Sequence, residues 1–143
     1  MAGRCVESAQ EVGKALGAAR VGYVAAVYRD ETGEARNHIA AVAHVDGREQ
    51  VVDATWKQLP FLWNARAKAS RVVDLKAEPT LLVCTIEEWT DRIVRYTPGI
   101  DQLLVERLNS AEDASRWMRD RRADLPQTAP AAGTKKSHGC ALF

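Results

Sequence analysis

The stretch His38-Ile-Ala-Ala-Val-Ala-His-Val-Asp46-Gly47-Arg-Glu-Gln-Val-Val-Asp53-Ala54 decides the architecture of this 143-residue chain. Small and β-branched residues run up to Asp46-Gly47, and a second β-prone run follows it. Asp-Gly supplies the two positive φ angles that a type I′ turn requires, so the stretch is predicted to be a two-residue β-hairpin. With Asp46 and Gly47 as the loop, Val45 faces Arg48, His44 faces Glu49, Ala40 faces Asp53 and His38 faces Thr55. His38 and Asp53 then lie on one face as diagonal neighbours, with Cα atoms about 7 to 8 Å apart, a gap that two polar side chains can close with a hydrogen bond.

On the N-terminal side, Ala9, Val12, Leu16 and Ala19 recur at helical spacing. They predict a first helix over residues 8–19 that begins near Cys5, with Gly17 weakening its last turn. The β-prone run 21–28 predicts a strand, ended by the polar loop 29–33. On the C-terminal side, Pro60 in a first turn, with Leu62, Ala65 and Ala69 on one side, predicts a helix over residues 60–69. Residues 80–85 are short and mostly apolar, which predicts a buried strand carrying Cys84 into the core. Helices are predicted over residues 87–96 and 100–109, on either side of the breaker pair Pro98-Gly99. Ser110-Ala-Glu-Asp113 resembles a capping box that opens a last helix reaching Arg122.

From Leu125 onward, Pro126, Pro130, Gly133, Lys135 and Lys136 argue against a packed element. Residues 1–124 are therefore expected to form one domain and residues 125–143 a flexible tail. The expected fold class is α+β, with a Cys-bearing N-terminal helix packed on a small antiparallel sheet and a mainly helical C-terminal half.

Composition narrows the function classes. Apolar residues at 46% and charged residues at 27% are close to the globular average, which disfavours disorder throughout, collagen-like repeats and coiled coil. A net charge of +1 with scattered Lys and Arg leaves no basic footprint for a duplex, so nucleic acid is not an expected partner. No run approaches the roughly 18 apolar residues of a membrane span, and residues 1–6 lack the regions of a signal peptide. A cytoplasmic chain is expected. Cys5, Cys84 and Cys140 are odd in number and widely spaced, which suggests neither a disulfide framework nor a zinc ribbon. No metal or cofactor is expected, since His138 beside Cys140 offers only two ligands.

One arrangement of reactive side chains is organised: Cys5 at a helix start, then His38 and Asp53 on the two arms of the hairpin. Exposed N–H groups and the macrodipole at a helix start favour a thiolate. Asp53 would hold one imidazole nitrogen while the other accepts the proton of Cys5, an oriented base activating a nucleophile. His44 competes for the role of base, but a residue beside the turn facing Glu49 fits an exposed cross-strand pair better. Cys5 as an ordinary residue near a frayed terminus also remains open.

The residues Cys5-Val-Glu-Ser-Ala9, Asn37-His38 through Gly47, and Val51-Val-Asp53-Ala-Thr-Trp56 resemble the papain-like and transglutaminase-like cysteine-enzyme superfamily. The closest flavour is that of the small papain-fold glutamine-deamidase domains of bacterial toxins and effectors. The resemblance covers residues 3–60 and implies Cys5 as nucleophile, His38 as base and Asp53 as orienting acid. It implies attack of the thiolate on an amide of a glutamine-bearing protein, loss of ammonia and hydrolysis of the thioester; with the same triad, transglutamination or proteolysis are alternatives. One departure stands out. Papain-like proteases place a Gln upstream of the nucleophile for the oxyanion hole, whereas only Met1-Ala-Gly-Arg4 precedes Cys5 and Gln10 lies more than a turn beyond it. Trp56, Trp63 and Trp89 would either line a substrate groove or pack in the core.

The chain ends Lys135-Lys-Ser-His-Gly-Cys140-Ala-Leu-Phe143, which matches a C-a-a-X box with Phe last, the geranylgeranyl type. Prenylation of Cys140 would require a eukaryotic cytosol, such as a host cell receiving an effector, and would give reversible membrane association. A plain tail with a stray cysteine is the alternative, and a non-catalytic, membrane-tethered interaction module is the corresponding reading of the whole chain.

Overall fold

The computed structural model describes residues 5–56, 81–97 and 99–126. The helix expected at residues 60–69, Trp63, and the tail with Cys140 lie outside the described residues. The element order is α1 (Cys5–Leu16), a 3-10 turn (Gly17–Ala19), β1 (Arg20–Arg29), β2 (Ala35–Val45), β3 (Arg48–Asp53), β4 (Leu82–Cys84), α2 (Ile86–Arg95), β5 (Asp101–Leu108) and α3 (Ala111–Asp124). The five strands form one antiparallel sheet in the order β4-β3-β2-β1-β5.

The hairpin adopts the expected register, with Val45 opposite Arg48, His44 opposite Glu49 and Ala41 opposite Val52. Asp46 and Gly47 take φ of 53° and 78°, the pair of positive angles that a type I′ turn demands. β1 is buried along eight consecutive residues, as expected of a central strand covered on both faces and paired on both edges.

Alternation along the strands splits the interior into two layers. Val24, Ala26, Tyr28, Ala40, Val42 and Val51 pack with Trp89 and Ile93 of α2. Tyr23, Ala25, Val27, Ile39 and Ala41 pack with Cys5 and Ala9 of α1 and with Ala114 and Met118 of α3. The sheet is thus the middle of three layers. α2 is fixed at its start by a capping box, in which Thr85 Oγ1 accepts from the Glu88 N–H at 3.1 Å and the Thr85 N–H donates to Glu88 Oε1 at 2.8 Å. α3 has the Ser110 half of the expected box, the Ser110 hydroxyl accepting from the Asp113 N–H at 3.1 Å.

Two expectations need correction. Residues 100–109, predicted as a helix, contain the strand β5, which pairs with the outer edge of β1. Among the described residues the C-terminal half therefore runs β4, α2, β5 and α3, more helix than strand but with a strand where a third helix was expected. Leu103 and Val105 turn to the α2 layer and Leu108 to the α1/α3 layer, the alternation of a strand. The packed region also reaches past residue 124: Leu125 is buried, and the Leu125 and Pro126 carbonyls each accept from the guanidinium of buried Arg29 at 3.1 Å. Arg29 donates further to the Gly33 carbonyl at 2.7 Å, so its charge is solvated by three backbone oxygens.

Candidate active site

Asp53 is the anchor. It is the last residue of β3 and is 1% exposed, and a carboxylate so deeply buried survives only with its lone pairs occupied. Oδ1 accepts from the Thr55 N–H at 2.8 Å and from the Thr55 hydroxyl at 3.1 Å. Oδ2 lies 2.7 Å from His38 Nε2 and accepts from the Trp89 indole N–H at 2.8 Å. Burial, the largest influence, pushes this carboxyl up; the imidazole of His38 and the bonds from Trp89 and Thr55 overcome it and hold its pKa below the usual 3.8.

His38 sits in β2 on the same face as Asp53, as the hairpin register requires. Its ring stacks on Trp89, with centroids 5.6 Å apart and planes 18° from parallel. With Nε2 turned to Asp53, Nδ1 faces the Cys5 sulfur at 3.9 Å. Burial works against a charged imidazole and is the largest influence, but the Asp53 charge and hydrogen bond, assisted by Cys5, outweigh it and raise the His38 pKa from 6.5 to about 10. The imidazole is therefore held protonated at neutral pH, and the proton on Nδ1 is directed at sulfur.

Cys5 is the first residue of α1 and is buried. Its N–H is one of the donors that the first turn of a helix leaves without an intrahelical partner. Cys5 packs with the α1/α3 layer, whereas His38 and Trp89 belong to the opposite face. The thiol and the imidazole meet where β2 and β3 have stopped pairing, since the last pair is Ala41 with Val52, three residues short of His38.

The structure thus brings Cys5, His38 and Asp53 into one chain of contacts. His44 is exposed at the hairpin tip opposite Glu49, outside that chain. Gln10 is exposed on α1. Trp56 and Trp89 are both buried core residues, but Trp89 also bonds Asp53 and covers His38, a role its helical spacing did not reveal. Thr55 is a second partner missed from sequence, although a Thr two residues after an Asp is a known way to cap the carboxylate with a local turn. Cys84 is buried in the other layer, and burial pushes its thiol up to about 11. Among the described residues, no group of three or more His, Cys, Asp or Glu converges as a metal site, and no helix is long and apolar enough to cross a membrane.

The sequence matches no protein-family model and no curated protein. Among solved structures it is similar to a chain of Pasteurella multocida toxin, in whose C-terminal region crystal structures reveal a thiol-protease-like catalytic triad. The TM-score is 0.53 at 20% identity, over 76% of this chain and 14% of that one. The chain therefore spans a small fraction of the toxin's length, and the likeness is one of fold: this chain has an α+β, papain-like fold.

Proposed function

We propose that the chain is a cysteine-dependent acyl-transfer domain that deamidates glutamine side chains of a target protein, acting as a bacterial toxin or effector. The observation that carries the reading is the continuous line Cys5 Sγ, His38 Nδ1, His38 Nε2, Asp53 Oδ2, with the imidazole held charged. Likeness in fold to a toxin region bearing a thiol-protease-like triad supports it.

In this reading, Cys5 is the nucleophile, His38 the acid and base, and Asp53 the group that orients and stabilises the imidazolium. An imidazolium facing sulfur places a positive charge beside the nucleophile. The thiolate attacks the side-chain amide carbon, forming a C–S bond, and the negative charge on the amide oxygen is met by the Cys5 N–H at the start of α1. Nδ1 donates its proton to the departing nitrogen, the C–N bond breaks and ammonia leaves a thioester. Water then adds to the thioester as Nδ1 takes its proton. The C–S bond breaks, and the product is a glutamate side chain with the Cys5–His38 pair restored. Resolution by an amine instead of water would be transglutamination, and attack on a backbone amide would be proteolysis.

The test is incubation of a host-cell protein extract with the full chain, followed by mass spectrometry of glutamine-containing peptides. Glutamine-to-glutamate conversion at defined positions, lost in Cys5→Ala and in His38→Ala, is the expected result. Conversion that persists in Cys5→Ala overturns the reading; isopeptide cross-links or new chain ends in its place assign the alternative chemistry.

A further inference from the structure

An open groove of 560 Å³ runs between the start of α1, the start of β2 and one face of α3. Its walls include Val6 and Asn37, the chain neighbours of Cys5 and His38, so it lies beside the two elements that carry the reactive pair. Met118 forms an apolar floor, and Ser115, Arg119 and Arg122 line the wall contributed by α3.

The charges of α3 are sorted. Of its four arginines, Arg116 pairs with Asp113 at 3.2 Å and Arg121 with Asp124 at 3.2 Å. The other two, Arg119 and Arg122, are those that line the groove. Among the described residues, Arg122 donates only to a neutral amide oxygen, that of Asn37 at 3.0 Å, and no carboxylate pairs with Arg119. No Asp or Glu among the described residues lines the groove. Two exposed guanidiniums over an apolar floor, with their carboxylate partners missing, make a surface complementary to an extended anionic chain. The spacing of three residues puts both on one side of the helix.

We propose that this groove holds an acidic peptide segment of the substrate protein, so that the glutamine delivered to Cys5 is one flanked by Asp or Glu. The inference rests on the acyl-transfer reading for what happens at Cys5, but the binding it asserts does not need turnover. Met118 and Val6 would take an apolar side chain of the segment while Arg119 and Arg122 take its carboxylates.

The experiment uses the full chain and a short fluorescein-labelled peptide with one central Gln flanked by Glu, read by fluorescence anisotropy. The expected result is saturable binding that weakens about tenfold or more in Arg119→Gln/Arg122→Gln and weakens with added salt. The matched peptide with Ser in place of Glu should bind no better than that double variant binds the acidic one. The bound acidic peptide should also slow alkylation of Cys5 by iodoacetamide. Arg119→Gln alone removes no partner seen in the fold, and an unchanged melting temperature in that variant separates lost binding from lost folding. Equal binding of the acidic and Ser peptides, undiminished binding by the double variant, or unaltered alkylation of Cys5 each overturns the proposal. Arginine-dependent binding to phosphatidylserine vesicles with none to the peptide overturns it in favour of a membrane surface. Peptide binding that protects Cys5 without conversion of the Gln leaves the groove standing and counts against the deamidase reading alone.

Discussion

Trp89 donates its indole N–H to Asp53 Oδ2 at 2.8 Å, and the same oxygen lies 2.7 Å from His38 Nε2. One side chain of α2 therefore bonds the acid and covers the ring that the acid holds. Replacing Trp89 with Phe keeps an aromatic ring over His38 but removes a donor from a buried carboxylate. A hydrogen bond to a charged group contributes about 1.5 to 3 kcal/mol, so Trp89→Phe is expected to lower the unfolding free energy by roughly that amount in urea denaturation. Parent-like stability would show that the bond carries no weight.

Stability should depend on pH in a way that identifies the His38–Asp53 pair. The folded state raises the His38 pKa from 6.5 to about 10, so its contribution is complete below pH 6.5 and is lost as pH rises through 10. Asp53 is lowered from 3.8, so its contribution is present above that pH and is lost as pH falls through its folded value. Stability from this pair should be greatest between pH 3.8 and 6.5. Its alkaline decline should approach about 1.4 kcal/mol per pH unit, the slope of one proton. In His38→Asn the chain should be less stable at neutral pH and the decline between pH 6.5 and 9 should vanish, leaving the later decline that begins as the unfolded Cys84 thiol ionises near 9. Urea midpoints measured across the pH range decide it.

The two described thiols should differ in reactivity although both are buried. Cys84 is pushed up to about 11 by burial among apolar side chains, so it should resist iodoacetamide at pH 8 until the chain unfolds. Cys5 faces a protonated imidazole and should react in the folded state, with a rate that drops about tenfold or more in His38→Ala. Peptide mapping after timed alkylation reads both sites at once. Equal rates at Cys5 in the parent and in His38→Ala would remove the basis for a poised pair.

Gly22 tests the strand that sequence reasoning read as a helix. A Cβ at Gly22 would lie 2.6 Å from the Leu108 carbonyl oxygen, a backbone atom that moves only if β5 moves. Gly22→Ala is therefore expected to cost about 1 to 3 kcal/mol in unfolding free energy. Protection of β5 amides from hydrogen exchange should fall more than that of β3 amides.

The hairpin was legible because its signals are local. Asp46-Gly47 dictates the turn, the turn dictates the register, and the register puts His38 and Asp53 on one face. β5 was not legible from its own residues, since Ile100, Leu103, Leu104 and Leu108 suit a helical stripe as well as a strand. What decides between them is distant: β1 is buried on both faces, and its outer edge needs a partner. The unbroken apolar run at residues 21–28 was the available sign that β1 is a central strand. The order Cys5, His38, Asp53 was legible as chemistry, but the side from which the thiol approaches depends on how α1 docks, which no local pattern states. Trp89 was hidden for a similar reason, because a tryptophan at helical spacing reads the same whether its N–H is idle or bonded to an acid.

Cys5 is held by one layer of the molecule and His38 with Trp89 by the other, and they touch only past the end of the β2–β3 pairing. The site consequently works as a coincidence detector for folding. Loosening α1 separates sulfur from nitrogen, and loosening α2 takes the Trp89 bond from Asp53 and its ring from His38, in either case before the sheet itself has melted. A partly denatured chain would then carry an ordinary cysteine, and thiol chemistry at Cys5 would report whether both layers are seated at the same moment.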